Sequence, residues 1–267
     1  MRLFLVRHGE TVDNVAGVYA GVRDSPLTVH GVLQARRLAT HLAERLKITH
    51  IFSSDLQRAV QTAQAVVDGQ SKPNKDSDEP ALHLAQLPVL RERDFGSAEG
   101  KRFGAPHADA ETHEQMRARA ARFVQGHLVP LLEGSGGSGD GEPVVVVVAH
   151  GLILNSLFRV LSARFGASVG NSDRRLEPSA AWSNTGYLEA VVKPDAPEGD
   201  IAEASGDRKP QQPRTSMSVV GVNVLRHLEG LKKTRGGIGS AQFDKRQRTM
   251  DSFFGPASKK PRVEKES

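Results

Sequence analysis

At 267 residues the chain can build one large domain or two small ones, and its apolar share of 38% is that of an ordinary globular protein. It contains no cysteine, which excludes disulfides, thiolate metal sites and any mechanism using a cysteine nucleophile, and fits an intracellular location. The formal charge of +5 sits at one end: from Leu228 onward there are ten Lys and Arg against five Asp and Glu, leaving 26 of each in residues 1–227. A neutral body argues against a broad duplex-binding face, so no direct sequence-specific nucleic-acid binding is expected of it.

In chain order, Leu3 to Val6 is too short for a signal-peptide core, and no later stretch is long and apolar enough to cross a bilayer. A soluble chain with no membrane partner is expected. Arg2 to Val6 reads as a buried strand running into a loop at Arg7-His8-Gly9. Thr28 caps a helix that places Val32, Ala35, Leu38, Ala39, Leu42 and Leu46 on one face. A strand follows at Thr49 to Phe52, and Ser54 to Gln57 reads as a capping box that starts a helix through Arg58, Ala59, Thr62, Ala63 and Val66. Residues 69–79 read as an exposed insertion. A helix is predicted from Glu111 to Leu132, with Pro130 disturbing its last turn, and then a flexible connector from Gly134 to Gly141. The unbroken apolar run Val144 to Ala149 is that of a central parallel strand covered on both faces, and His150-Gly151 leads from it into a helix carrying Ile153, Leu154, Leu157, Phe158 and Leu161. Two further strands, Tyr187 to Val192 and Met217 to Val224, flank an insertion at 194–215.

Alternating strands and helices define an α/β fold, a three-layer sandwich with a mostly parallel central sheet flanked by helices, over a domain of residues 1–227. Ligands of such sheets bind outside the carboxyl ends of the strands. Three polar groups fall there: His8 after the first strand, Arg58 in the first turn of the helix after the second, and His150 after the Val-rich strand. The helix N-termini at these points add positive potential. This constellation suits a phosphate monoester. Arg7 and Arg58 can grip its oxygens through paired guanidinium N–H groups, and His150 adds a donor if its inward nitrogen carries the proton. Neutral His8 is the candidate nucleophile, and Glu92, in the run Leu90 to Gly96, is the candidate acid for the leaving group if its loop closes over the site. The same carboxylate then serves as base when water hydrolyses the phosphohistidine. The other histidines, His30, His41, His50, His83, His107, His113, His127 and His227, lack metal-ligand spacing beside carboxylates and read as solvated or locally satisfied.

Leu5-Val6-Arg7-His8-Gly9-Glu10-Thr11 resembles the signature of the histidine phosphatase (phosphoglycerate mutase-like) superfamily. Four further segments are similar and in the expected order: Gly21 to Gly31, Ser53 to Ala63 with Arg58, Leu90 to Gly100, and Ala149-His150-Gly151. The resemblance implies His8 as the phosphorylated residue, Arg7, Arg58 and His150 as the phosphate pocket, Glu92 as the proton donor, and neither metal nor other cofactor. It also matches Asn14 to a position that often contacts the phosphate. One position departs from the pattern: in Gly96-Ser97-Ala98-Glu99-Gly100, Ala98 stands where an aromatic is usual, a change expected to open the pocket or loosen the loop carrying Glu92. The retained Glu-Gly pair resembles the phosphatase branch more than the mutase branch.

Residues 228–267 read as a disordered basic tail. Within it, Gln247-Arg248-Thr249-Met250-Asp251-Ser252-Phe253-Phe254 resembles the box by which proteins bind the sliding clamp, proliferating cell nuclear antigen (PCNA). One tight turn gathers Met250, Phe253 and Phe254 into an apolar plug and leaves Gln247 for a polar pocket. Lys259-Lys260-Pro261-Arg262 resembles a nuclear import signal read by importin, with Lys245-Arg246 upstream. The expectation is a nuclear phosphomonoesterase recruited to the clamp, with the cytoplasm as a second location. The alternatives are a non-catalytic adaptor that binds a phosphorylated ligand at the clamp, and a phosphoglycerate mutase-like phosphotransferase.

Overall fold

A computed structural model of the chain describes residues 1–70, 81–134, 141–169, 172–175, 180–194 and 215–232. It places one eight-stranded sheet between two helical layers. The elements are β1 (Arg2–Arg7), α1 (Val12–Ala16), α2 (Val29–Ala43), β2 (His50–Ser53), α3 (Gln57–Gln70), β3 (Leu84–Gln86), α4 (His113–Phe123), α5 (Val129–Gly134), β4 (Val144–Ala149), α6 (Gly151–Phe165), β5 (Ala167–Val169), β6 (Ser172–Arg175), β7 (Tyr187–Pro194) and β8 (Thr215–Val224). The strand order is β3-β2-β4-β1-β7-β8-β5-β6, and only β7 and β6 run against the rest, so the sheet is mostly parallel.

The Val run explains itself in this arrangement. β4 lies between β1 and β2, so both faces are covered: Val145 and Val147 join Leu3, Leu5, Phe123 and Leu154 in one core, while Val146 and Val148 join Phe4, Val6, Leu38 and Ala63 in the other. α2 and α3 cover the second face, and α4 and α6 the first. The three layers of the predicted fold are thus present.

Several local expectations are corrected. Ser54 and Gln57 form no capping box: Ser54 Oγ accepts from Leu56 N at 3.2 Å, and the N–H of Gln57 goes instead to Asp24 Oδ1 at 2.8 Å, from a loop 33 residues upstream. Gly69 and Gln70 are not insertion but the last turn of α3, where Gln70 Oε1 accepts from Ile48 N; the rest of 69–79 lies outside the described residues. β7 and β8 extend to Pro194 and Thr215, and the span between them is likewise outside. The helix expected from Glu111 starts later, behind a box made by Thr112 and Gln115. It widens into a π segment at Val124–Leu128, where Val129 N reaches back five residues to Val124 O. Pro130 follows at once, and the wide turn gives its ring room where a regular turn would press it on a carbonyl.

Candidate active site

β1 and β4 run side by side with Arg7 opposite Ala149, so the residues that follow each strand, His8 and His150, emerge together at the carboxyl edge of the sheet. His8 N donates to Ala149 O at 3.0 Å, and the two imidazoles lie with centroids 5.0 Å apart. Arg58 enters from the first turn of α3, its side chain almost wholly buried. The three groups that the strand ends suggested are therefore one cluster.

Hydrogen bonds decide which nitrogen does what. Arg58 Nε donates to His150 Nδ1 at 3.2 Å, and because a guanidinium can only donate, His150 Nδ1 is bare and Nε2 carries the proton. Arg58 is held in turn by the carbonyls of Arg23 and Gly21, each at 2.7 Å. Gly21, at φ +56, stands there because a Cβ would strike Glu99. His8 is set the other way: Nδ1 lies 2.7 Å from Gly9 O and must carry its proton, which leaves the lone pair on Nε2. Burial first, then the charges of Arg58 and Arg7, hold the His8 pKa well below its usual value near 6.5. Burial, Arg58 and the neighbouring imidazole do the same to His150. Both rings are neutral at pH 7. Arg7 completes the cluster, its Nη1 donating to Trp182 O at 2.6 Å. Arg7 Nε and His150 Nε2 are both buried and have no acceptor among the described residues.

Glu92 needs no loop closure to reach this cluster. Its carboxylate caps α6, Oε2 accepting from Leu152 N and Oε1 from Ile153 N, each at 3.2 Å, and its charge acts on both Arg7 and Arg58. Ala98, on the loop that carries Glu92, is fully buried. Arg119 of α4 clasps Glu111 through two bonds of 2.6 Å and donates to the carbonyls of Val89, Arg91 and Glu92. Glu99 ties the same loop to the 21–23 turn by accepting from Val22 N and Phe95 N. Neither role was legible in the sequence: Arg119 sits on a helix surface, and Glu99 stood out only as part of the Glu-Gly pair, with nothing to show that its partners are backbone N–H groups.

Asn14 is also drawn in, although its path is indirect: its Oδ1 accepts from Thr11 N at 3.2 Å and from Asn184 Nδ2 at 3.0 Å, and Asn184 Nδ2 also donates to His8 O. That fixes the amide with its own donor end turned from Thr11 and Asn184. The loop 182–186, from which Trp182, Asn184 and Thr185 touch Arg7, His8 and Asn14, carried no sequence signal, because two of these three residues make their contacts through backbone groups. Gln247, Met250, Phe253 and Phe254 lie outside the described residues. Among the described residues no cluster of His, Asp and Glu is arranged to hold a metal ion, and no helix is long and apolar enough to cross a membrane.

Residues 3–176 match the histidine phosphatase superfamily, branch 1. A probable phosphatase of Schizosaccharomyces pombe is 30% identical over 263 residues, covering 93% of this chain and 78% of that protein. A probable phosphoglycerate mutase, GpmB, of Yersinia enterocolitica is 32% identical over 223 residues, covering 78% and 93%. Among solved structures, YhfR of Bacillus stearothermophilus superposes with a TM-score of 0.53 at 26% identity, over 75% of this chain and 98% of that one. The chain belongs to the histidine phosphatase superfamily, as its motifs implied, and is an enzyme of that phosphatase or phosphoglycerate mutase-like kind.

Proposed function

We propose that the chain hydrolyses phosphate monoesters through a phosphohistidine on His8. The observation that carries this reading is the pairing of a neutral imidazole whose Nε2 lone pair is uncommitted with two buried N–H donors, Arg7 Nε and His150 Nε2, that have no acceptor among the described residues. Buried donors are rarely left unpaired, and a phosphoryl group between them satisfies both while exposing phosphorus to His8. In this mechanism His8 Nε2 bonds to phosphorus as the bond to the leaving oxygen breaks, and Glu92, having first taken up the proton of a monoanionic ester, passes it to that oxygen. Water then attacks the phosphohistidine, returns a proton to Glu92 and releases phosphate. Arg7, Arg58, His150 and the donor end of Asn14 hold the non-reacting oxygens. A cavity of about 790 Å³ lies beside Glu92, lined by Arg91, Asp94, Gln115, Arg119 and Arg122 and by none of His8, Arg7, Arg58 and His150. The likeness to GpmB supports a second reading, transfer of the phosphoryl group to another hydroxyl instead of water. Rapid quenching with an aryl phosphate separates these from an adaptor: an acid-labile phosphoenzyme with phosphate release supports hydrolysis, phosphoenzyme discharged only onto an acceptor alcohol supports transfer, and binding without phosphoenzyme supports the adaptor.

We also propose that the basic tail carries the enzyme to the sliding clamp and, through importin, into the nucleus. What supports this is the sequence alone, the four filled positions Gln247, Met250, Phe253 and Phe254 and the basic run at 259–262. Two buried Phe side chains contribute roughly 1.5 to 3 kcal/mol each, partly offset by ordering of the segment, so a dissociation constant on the order of micromolar is expected. Calorimetric titration of the clamp with the full chain should show binding that vanishes in Phe253→Ala/Phe254→Ala, with turnover unchanged; binding that survives would remove the docking reading. Neutralising Lys259, Lys260 and Arg262 should move a fluorescently tagged chain from nucleus to cytoplasm.

A further inference from the structure

Loop 182–186 holds the site from behind, and its own support comes from the last described stretch of the chain. Thr185 is fully buried and lies at φ +57, a left-handed conformation that a β-branched residue adopts only under constraint. Its N–H explains the constraint, donating to Arg7 O at 3.0 Å and His8 O at 3.2 Å. The Thr185 hydroxyl donates its single proton to Asn184 O at 2.7 Å, so Oγ1 is left as an acceptor. His227 Nε2, 2.9 Å away, therefore donates to it, and His227 Nδ1 is the bare nitrogen, buried without a partner among the described residues. Beside it Asn223, itself at φ +49 where β8 is irregular, accepts from Ser183 N at 2.9 Å and donates to Ser183 Oγ at 3.1 Å. His227 is stacked on Tyr187, its 3₁₀ turn at Arg226–Leu228 packs on α2, and Arg37 of α2 donates to Glu229 O. A residue read as bland from sequence is thus one hydrogen bond from a strained residue that grips the nucleophile's backbone.

We propose that His227 is a positioning residue for phosphoryl transfer, holding Thr185 and through it the backbone of Arg7 and His8, so that the segment just before the tail is part of the working site. This rests on the phosphohistidine reading above. Strained backbone persists where surrounding contacts over-determine it, and here they converge on the strand end that aims His8. A ring that merely filled space would need shape and not the Nε2 proton, which gives the test its two arms.

His227→Phe keeps the ring and loses the donor, whereas His227→Gln keeps a donor and loses the ring. The rate of phosphoenzyme formation from an aryl phosphate, read by rapid quench, should fall about tenfold or more in His227→Phe with KM within about twofold, and should return to within about twofold of the natural chain in His227→Gln. A His227→Phe chain as fast as the natural one, or a folded His227→Gln chain as slow as His227→Phe, would overturn the proposal. Thr185→Ala removes the same bond from the other side and decides the matter if His227→Phe does not fold: a comparable loss supports positioning, and an unchanged rate refutes it. A natural chain that forms no phosphoenzyme would overturn the phosphohistidine reading along with this one, while phosphoenzyme formed at equal rates in all variants overturns this one alone.

Discussion

Two pairs of histidines stand close together in this fold, and they differ in a way that separates a reactive site from a supporting one. His8 and His150 lie 5.0 Å apart at the carboxyl edge of the sheet; His41 and His227 lie 5.9 Å apart on the α2 side of it. In all four, burial is the largest influence and moves the pKa below the ordinary histidine value. Proximity and a depressed pKa therefore do not identify the active pair. The hydrogen bonds do. Around His8 and His150 the orphaned buried groups are donors, the Nε2–H of His150 and the Nε–H of Arg7, and a donor cluster between arginines is complementary to an anion. In the second pair the buried orphan is an acceptor, the bare Nδ1 of His227, while His41 Nε2 is engaged with Tyr187 and Arg45 and His227 Nε2 with Thr185. Nothing there invites a phosphate.

The sharpest way to break this contrast is to exchange the fates of the two pairs by mutation. His8→Ala should lower turnover by at least about 10⁴-fold and abolish phosphoenzyme, as expected when a nucleophile is removed from a set that works as a unit. His41→Phe should leave turnover within about twofold of the natural chain, because the hydrogen bonds of His41 go to Tyr187 and Arg45 and its ring flanks His227 without bonding to it. Comparable losses in both would erase the distinction. Chelators should leave the activity of the natural chain intact, and a loss restored by added metal would count against the mechanism.

Smaller effects should come from the groups that serve the first pair without belonging to it. Glu92→Gln keeps only one of the two acceptor oxygens that cap α6 and cannot give up a proton; loss of the cap slows every substrate alike, so an alkyl phosphate should slow by about 10²-fold more than an activated aryl phosphate. Equal slowing of both would show that Glu92 is not the acid. Arg119→Lys should cost about tenfold on the alkyl substrate, because a lysine cannot reproduce the paired bonds to Glu111 while reaching the carbonyls of the Glu92 loop. Crystallographic displacement of that loop in the variant would confirm the cause, and an unshifted loop with full activity would remove Arg119 from the machinery.

The layers and strand polarity were legible because they rest on periodicity and on a Val run that only a doubly covered strand tolerates. The positions of Arg7, His8, Arg58 and His150 were legible because each follows a recognisable strand or opens a helix. What sequence could not show was every contact made by backbone. Asp24 capping α3, Trp182 O receiving Arg7, and the N–H of Thr185 on the carbonyls of Arg7 and His8 leave no residue-type signal. The short strands β3, β5 and β6 were missed for a related reason: three or four residues are too few to show alternation. His227 was misjudged because its partner is 42 positions away.

The last prediction uses pH to compare the two pairs in one measurement of stability. His227 titrates at about 4 in the fold, chiefly because it is buried and then because of His41, against about 6.5 in an unfolded chain. As pH falls below about 6.5 the unfolded chain takes up this proton first, so the stability that neutral His227 provides is complete above that value and is lost progressively towards pH 4. With partial solvent screening allowed for, the loss attributable to this residue is about 1–2 kcal/mol. His8 and His150 add losses of the same sign, because their folded pKa values are lowered as well. His227→Gln has no proton to gain, so thermal unfolding of that variant should decline less steeply between pH 6.5 and pH 4 than in the natural chain. His8→Gln should flatten the same curve while abolishing turnover, and His227→Gln should flatten it while keeping turnover. Parallel curves for His227→Gln and the natural chain would mean that the ring takes up its proton in the fold as readily as in the unfolded chain, which a buried ring with a bare, unsolvated Nδ1 does not do, and the contrast between the two pairs would fail.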